Sequence, residues 1–311
     1  MAGRGDYTER AITDLDFLSH RGVLTEWWYF TGFLNQKFGF ELTFFKIEFP
    51  PNVGILKLFP IWITSHFAIT DIENKKFLFR ERLSPVFHIG TDKILEIRNT
   101  NTSLFANAQS YNLQADFKEY SMFLTFSPSK TTVHHGDNGI AQMGNAGNSH
   151  YYSITSLKAK GTLRRKDEVL NVKGSVWHDH QWGNFKIHPY WDWFSLRLNN
   201  NVDIMAFNLR NNRENVINQL ITIRLEDGTI LRDNTFDLQV LDKDFCAGKK
   251  QYPEHWKLTS KYGEFFIHSV MEGQIIHSFF TPDYLEVLSN VTGILFKKKV
   301  KGYAYVEITG Y

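Results

Sequence analysis

The sequence predicts an all-β protein made of two antiparallel β-barrel domains in tandem, and three observations carry this. Strand-like apolar runs follow one another through short turns, with no helical periodicity between them. Aromatic residues, which suit the half-buried surface of a strand, make up 15% of the chain. The start of the chain also returns later. Trp193-Phe194, Leu198-Asn-Asn-Asn201, then Met205, Phe207 and Leu209 echo Trp28-Tyr29, Phe33-Leu-Asn-Gln36, then Phe40, Leu42 and Phe44. The offset is 165 (193 − 28). It divides the 311 residues into domains at 1–187 and 188–311, with the join between Phe185 and Pro189.

The elements read in order as follows. Trp27-Trp-Tyr-Phe-Thr31 and Phe38-Gly-Phe-Glu-Leu-Thr-Phe-Phe45 form a hairpin across Leu34-Asn-Gln-Lys37. Pro60 to Thr70 is a strand ended by Asp71-Ile-Glu-Asn74. Ile94–Asn99, Tyr120–Phe126 and His150–Thr155 follow the same pattern. Gly136 to Asn148, rich in Gly and Asn, reads as a mobile loop, either a roof over a binding site or a plain surface connection. Its glycines fit neither a phosphate-binding loop nor a dinucleotide fingerprint. The second half continues with Gln219–Leu225, the turn Glu226-Asp-Gly-Thr229 and a last strand within Gly302–Tyr311.

Composition narrows the function. The formal charge is +2 and no Lys/Arg run exceeds three residues, which argues against nucleic acid. One cysteine, Cys246, excludes an intrachain disulfide. No run of 18 apolar residues predicts a transmembrane segment, while peripheral membrane contact stays open. The polar start MAGRGDYTERA predicts no signal peptide. The expectation is a soluble protein, cytoplasmic, or periplasmic had a leader been trimmed.

The chemistry gathers in SVWHDHQWGNF, Ser175–Phe185. If Val176–Trp182 is a strand, Trp177, Asp179 and Gln181 face one way and His178, His180 and Trp182 the other. His178 and His180 could bind a metal with help from His134, His135, His66 or Asp192, but two alternating histidines are a weak motif and no metal is expected. Asp179 shares its face with Trp177. Burial against an indole disfavours a charged carboxylate, so such an acid could hold a proton and deliver it, with aromatic faces steadying a developing cation. The competing reading is a buried Asp that serves backbone amides or an Arg.

Glu26-Trp-Trp-Tyr-Phe-Thr-Gly32, Trp177-x-Asp-His-x-Trp-Gly183 and Gly302-Tyr-Ala-Tyr-Val-Glu-Ile-Thr-Gly-Tyr311 together resemble the AttH/CrtC family, which includes bacterial carotenoid 1,2-hydratases and has relatives among fungal hydratases and Diels–Alderases. The resemblance implies lipocalin-like barrels and no cofactor. It implies catalysis by a His-x-aromatic pair and an aromatic-x-Asp pair. His150-x-Tyr152 and Trp177-x-Asp179 look like these, with the two aromatics exchanged relative to the hydratases. Glu26, Trp27 and Trp28 are candidates for substrate binding, or core residues closing the first barrel. The implied activity is a cofactor-independent hydratase-type lyase. Asp179 would protonate an alkene of a small apolar terpenoid- or carotenoid-like partner, Trp177 and Tyr152 would hold the cation, and His150 would tune the acid. A lipid- or terpenoid-binding protein and a Diels–Alderase-like pericyclase are the alternatives.

Overall fold

A computed structural model describes residues 11–48, 61–86, 89–185, 190–212, 215–242, 245–247 and 250–310. It divides into two units, Met1–Ile69 with Leu78–Ile187, and Thr70–Phe77 with His188–Tyr311. The expected join from Phe185 to Pro189 lies largely outside the described residues. Among the described residues the one helical element is a 3-10 turn at Gly144–Ala146.

The first sheet contains β1 (Thr25–Leu34), β2 (Phe38–Glu48), β3 (Ile61–Asp71), β4 (Lys76–Val86), β5 (Leu95–Asn99), β6 (Thr102–Ala106), β7 (Tyr111–Asp116), β8 (Tyr120–Pro128), β9 (Val133–His134), β10 (Ile140–Gln142), β11 (Asn148–Arg165) and β12 (Glu168–Gly183). Its strand order is β4-β3-β2-β1-β12-β11-β8-β7-β6-β5, with β9 and β10 on the free stretch of β11. The second half contributes β13 (Trp191–Leu198), β14 (Asp203–Arg210), β15 (Val216–Arg224), β16 (Ile230–Asp233), β17 (Asp237–Asp242), β18 (Phe245–Ala247), β19 (Lys250–Tyr252), β20 (His255–Ser260), β21 (Gly263–Ser269), β22 (Ile275–Ile276), β23 (Tyr284–Leu295) and β24 (Lys298–Thr309). Its sheet runs β16-β15-β14-β13-β24-β23-β21-β20-β17. The strand pairings among the described residues are antiparallel, and each sheet curls into a barrel-like domain.

Local chemistry explains the hairpins. Asn35 and Gln36 take φ of 50° and 55° between β1 and β2, and Lys37 N donates to Leu34 O at 2.9 Å. That is the left-handed turn whose twist matches the flanking strands. The curl of the first sheet brings its edges together, and the Asn99 amide is one of the links. Asn99 Nδ2 at the end of β5 donates to Arg82 O at 2.9 Å and to Ile63 O at 3.2 Å, on β4 and β3. Inside lie Trp28, Phe30 and Leu34 of β1 and Phe38, Phe40, Leu42 and Phe44 of β2, all fully buried.

The internal repeat is present, but its register differs from the sequence reading. In both sheets the first strand pairs with the last, β1 with β12 and β13 with β24. Phe30 opposite Leu42 in the first core corresponds to Phe194 opposite Ala206 in the second. The offset is therefore 164 (194 − 30). An offset of 165 sets inward Trp28 against Trp193, which is not part of the second core cluster, because one residue of slip exchanges the faces of a strand. The expected loop Gly136–Asn148 is partly ordered as β10, and Tyr151 N donates to Gly139 O at 2.8 Å.

The seam between β1 and β12 has no room for a side chain at Gly174. A Cβ there would stand 2.2 Å from the Phe33 carbonyl oxygen, a backbone atom. Gly174→Ala should cost about 1–3 kcal/mol, seen in calorimetry as a melting temperature lowered by roughly 2–10 °C. An unchanged melting temperature would contradict the packing described.

Candidate active site

β12 presents two chemistries, one on each face. Paired residues share a face, so the interior face holds His178 with Phe30, His180 with Trp28 and Tyr152, and Trp182 with Glu26 and His150. The opposite face holds Asp179 with Tyr29 and Ser153, Trp177 with Thr31, and Gln181 with Trp27 and Tyr151. The alternation read from the sequence holds. The grouping of His150 and Tyr152 with Asp179 and Trp177 does not.

The physical reason is a β-bulge. Pairing at the hairpin end starts with Arg165 opposite Glu168. Continued without interruption, it would set Tyr152 opposite Gln181, on the face of Asp179. Instead the register shifts between Ile154 and Leu157, where β11 spends one residue more than β12. His150 and Tyr152 thereby turn to the interior, and Tyr151 and Ser153 take their place beside Asp179.

The interior network centres on Glu26, whose carboxylate is wholly buried. It accepts from Ser19 Oγ at 3.0 Å, His20 N at 3.0 Å, His20 Nδ1 at 2.8 Å, Lys46 Nζ at 3.0 Å and His180 Nε2 at 3.1 Å. Burial alone would raise its pKa. The Lys46 charge and the bonds from His180 and His20 overcome that and hold it well below the usual carboxylate range. His20 Nε2 reaches Asp16 Oδ1 at 3.0 Å. Burial disfavours the His20 cation, but its bonds to Asp16 and Glu26 prevail and raise its pKa. His180 is driven down to about 4 by burial, against the pull of Glu26. His178 is driven down to about 3 by burial and then by His180, against its bond to the Tyr29 carbonyl at 3.1 Å. Aromatic rings wall this cluster. Trp182 stacks on His20 at 4.1 Å and on His150 at 5.0 Å, Trp28 on His180 at 4.8 Å, and Phe30 on His178 at 4.2 Å.

On the other face, buried Asp179 accepts three hydrogen bonds. Trp177 Nε1 donates to Oδ1 at 2.6 Å, Tyr151 OH to Oδ2 at 2.7 Å, and Ser153 Oγ also donates to Oδ1. Ser153 Oγ in turn lies 2.6 Å from His135 Nε2, and the His135 ring rests against Tyr151 at 4.3 Å. Asp179 is thus fixed by two hydroxyls and an indole, with the His135 imidazole behind Ser153.

Of the residues singled out from sequence, Trp177 and Asp179 are together. His150, Tyr152, Glu26 and Trp28 are together on the interior face. Trp27 lies on the Asp179 side of the sheet, against Phe185 at 5.6 Å. Sequence reading missed Tyr151, Ser153, Asp16, His20 and Lys46, and weighed His135 only as a metal ligand. Nothing in a polar N-terminal stretch or in one Ser among many signals such partners.

A family model described as AttH-like matches residues 11–311. The chain belongs to the AttH-like family. No curated protein sequence matches it. Among solved structures, an AttH of Nitrosomonas europaea is similar at 23% identity, TM-score 0.85, over 97% of this chain and 98% of that one. Kievitone hydratase from Nectria haematococca is similar at 18% identity, TM-score 0.75, over 98% and 97%. A protein named CghA is similar at 12% identity, TM-score 0.62, over 93% and 88%. At these identities the AttH-like fold is what is shared. Among the described residues no helix is long and apolar enough to cross a membrane.

The depressed pKa of His178 sets a pH dependence in this AttH-like barrel. In the unfolded chain a histidine takes its proton near pH 6.5; in the fold His178 resists until about 3. The stability it lends is full above about pH 6.5 and is lost as pH falls toward about 3. His178→Phe, which keeps a ring against Phe30, should therefore flatten the fall in melting temperature between pH 6.5 and 4. Parallel curves for the two proteins would refute this.

Proposed function

We propose that the chain is a hydratase-type lyase that adds water across an alkene of a small apolar molecule of terpenoid or carotenoid type, with Asp179 as the group that moves the proton. The supporting observation is Asp179 itself, a buried carboxylate held by Trp177, Tyr151 and Ser153 with His135 behind Ser153. The reaction balances on these groups. Protonated Asp179 passes its proton to one alkene carbon, the Trp177 face steadies the cation, and water bonds to the other carbon. The proton that water sheds returns to the carboxylate. Tyr151 and Ser153 position the acid here, the part that sequence gave to His150, and Trp177 holds the cation without Tyr152. The word hydratase in the name of one similar structure agrees with this reading.

The test uses an acyclic terpene alkene in ¹⁸O-labelled water, with mass spectrometry of the product. The wild-type protein should add one labelled oxygen. Asp179→Asn should turn over ~10²–10⁴-fold more slowly, with little change in melting temperature, since the Tyr151 hydroxyl can rotate to accept from the new amide. Tight binding of alkenes without labelled product would favour a binding protein. A product of unchanged mass would favour a pericyclase. Equal turnover by Asp179→Asn would remove Asp179 from the reaction.

A further inference from the structure

The interior cluster has the donor set and outer partners of a metal site. His20 Nδ1 lies 2.8 Å and His180 Nε2 3.1 Å from the same oxygen, Glu26 Oε1, and the three ligand atoms all fall within 4.8 Å of one another. Neighbouring ligand atoms of a tetrahedral zinc ion stand roughly 3.3 Å apart when each bond is about 2.0–2.1 Å. Small shifts would bring this trio to that geometry. We propose that His20, Glu26 and His180 bind a divalent ion of the zinc type, fastening the segment around Asp16–His20 to β1 and β12.

The surroundings argue for it independently. Metal-binding histidines are commonly oriented by a partner on the second ring nitrogen. Here His20 Nε2 is held by Asp16 Oδ1 at 3.0 Å, and His180 Nδ1 faces Tyr152 OH at 3.3 Å. Lys46 Nζ and Ser19 Oγ bond the other Glu26 oxygen, Oε2, while Oε1 meets both histidine rings and the His20 backbone N–H. Finally, Trp182 Nε1 is a buried donor without a hydrogen-bond partner, on a ring stacked against His20 and 4.7 Å from His180. It leaves a donor unused beside the trio, where an ion's fourth ligand could accept. The two histidines and Glu26 lie across the sheet from Asp179, so this proposal stands apart from the hydration reaction.

The experiment takes tag-free full-length protein, strips it with chelator, and titrates it with Co²⁺ and then Zn²⁺. The expected result is one Co²⁺ per chain with the strong visible absorption of a four-coordinate ion, and displacement by one Zn²⁺. His180→Gln should abolish the absorption. Asp16→Asn, which leaves all three ligands in place, should weaken binding by about 10–100-fold. Absence of stoichiometric binding by the wild-type protein would overturn the proposal, and so would undiminished binding by His180→Gln. Should His180→Gln not fold, Asp16→Asn decides, and unchanged affinity there would overturn it equally.

Discussion

One extra residue in β11 governs the chemistry of this protein. A strand offers alternate side chains to its two faces, so any slip of one position exchanges everything it presents. The bulge between Ile154 and Leu157 is such a slip. Below it, toward the hairpin, β11 and β12 simply pack the barrel wall. Above it, Tyr151 and Ser153 meet Asp179 on one face, while His150 and Tyr152 join the histidines inside. An unbulged hairpin with the same sequence would crowd His150, Tyr152, Trp177 and Asp179 onto one face and leave the interior histidines a different set of partners.

The separation lets two incompatible electrostatic environments share one strand. Inside, His178 and His180 are kept neutral by burial while Glu26 stays charged, because five donors including Lys46 converge on it. Outside, Asp179 takes neutral donors, a hydroxyl from each of Tyr151 and Ser153 and one indole. A charged carboxylate served by neutral, ionisable or rotatable groups can change protonation without breaking an ion pair. Glu26, locked to Lys46 and His20, cannot do so cheaply. That contrast is why we propose proton transfer for the outer carboxylate and a holding role for the inner one. The second sheet sharpens it. At the positions of His178 and His180 relative to the pairing of β13 with β24, it has Val306 and Ile308, so the repeated architecture carries the histidine network in its first copy alone among the described residues.

Much of this was legible in the sequence because it rests on local rules. Apolar alternation and Asn-rich turns mark the strands, and the period of two separates Asp179 from its flanking histidines without any structure. The fold-level repeat was visible through Trp and Asn spacing, although an odd offset put it one residue out of register. What local rules could not supply is which two residues of β11 face Asp179. Each i, i+2 pair shares a face, but the match between two strands depends on every residue back to the turn at Lys166–Asp167, and a bulge has no reliable signature in Ile154-Thr-Ser-Leu157. The same limit hides His20 and Lys46. They reach Glu26 from 6 and 20 residues away in sequence, through packing of a polar segment that shows no periodicity.

The most direct test of this account is a pair of double-mutant cycles on folding stability, crossing Asp179→Ala, which removes the carboxylate outright, once with Tyr151→Phe and once with Tyr152→Phe. The two tyrosines are adjacent and lose the same hydroxyl, so only the face they occupy differs. The bulged register predicts a coupling of about 0.5–3 kcal/mol for Tyr151 with Asp179, and additivity within about 0.5 kcal/mol for Tyr152 with Asp179. Coupling to Tyr152 with additivity for Tyr151 would show that β11 is not bulged as described, and would return His150 and Tyr152 to the face of Asp179.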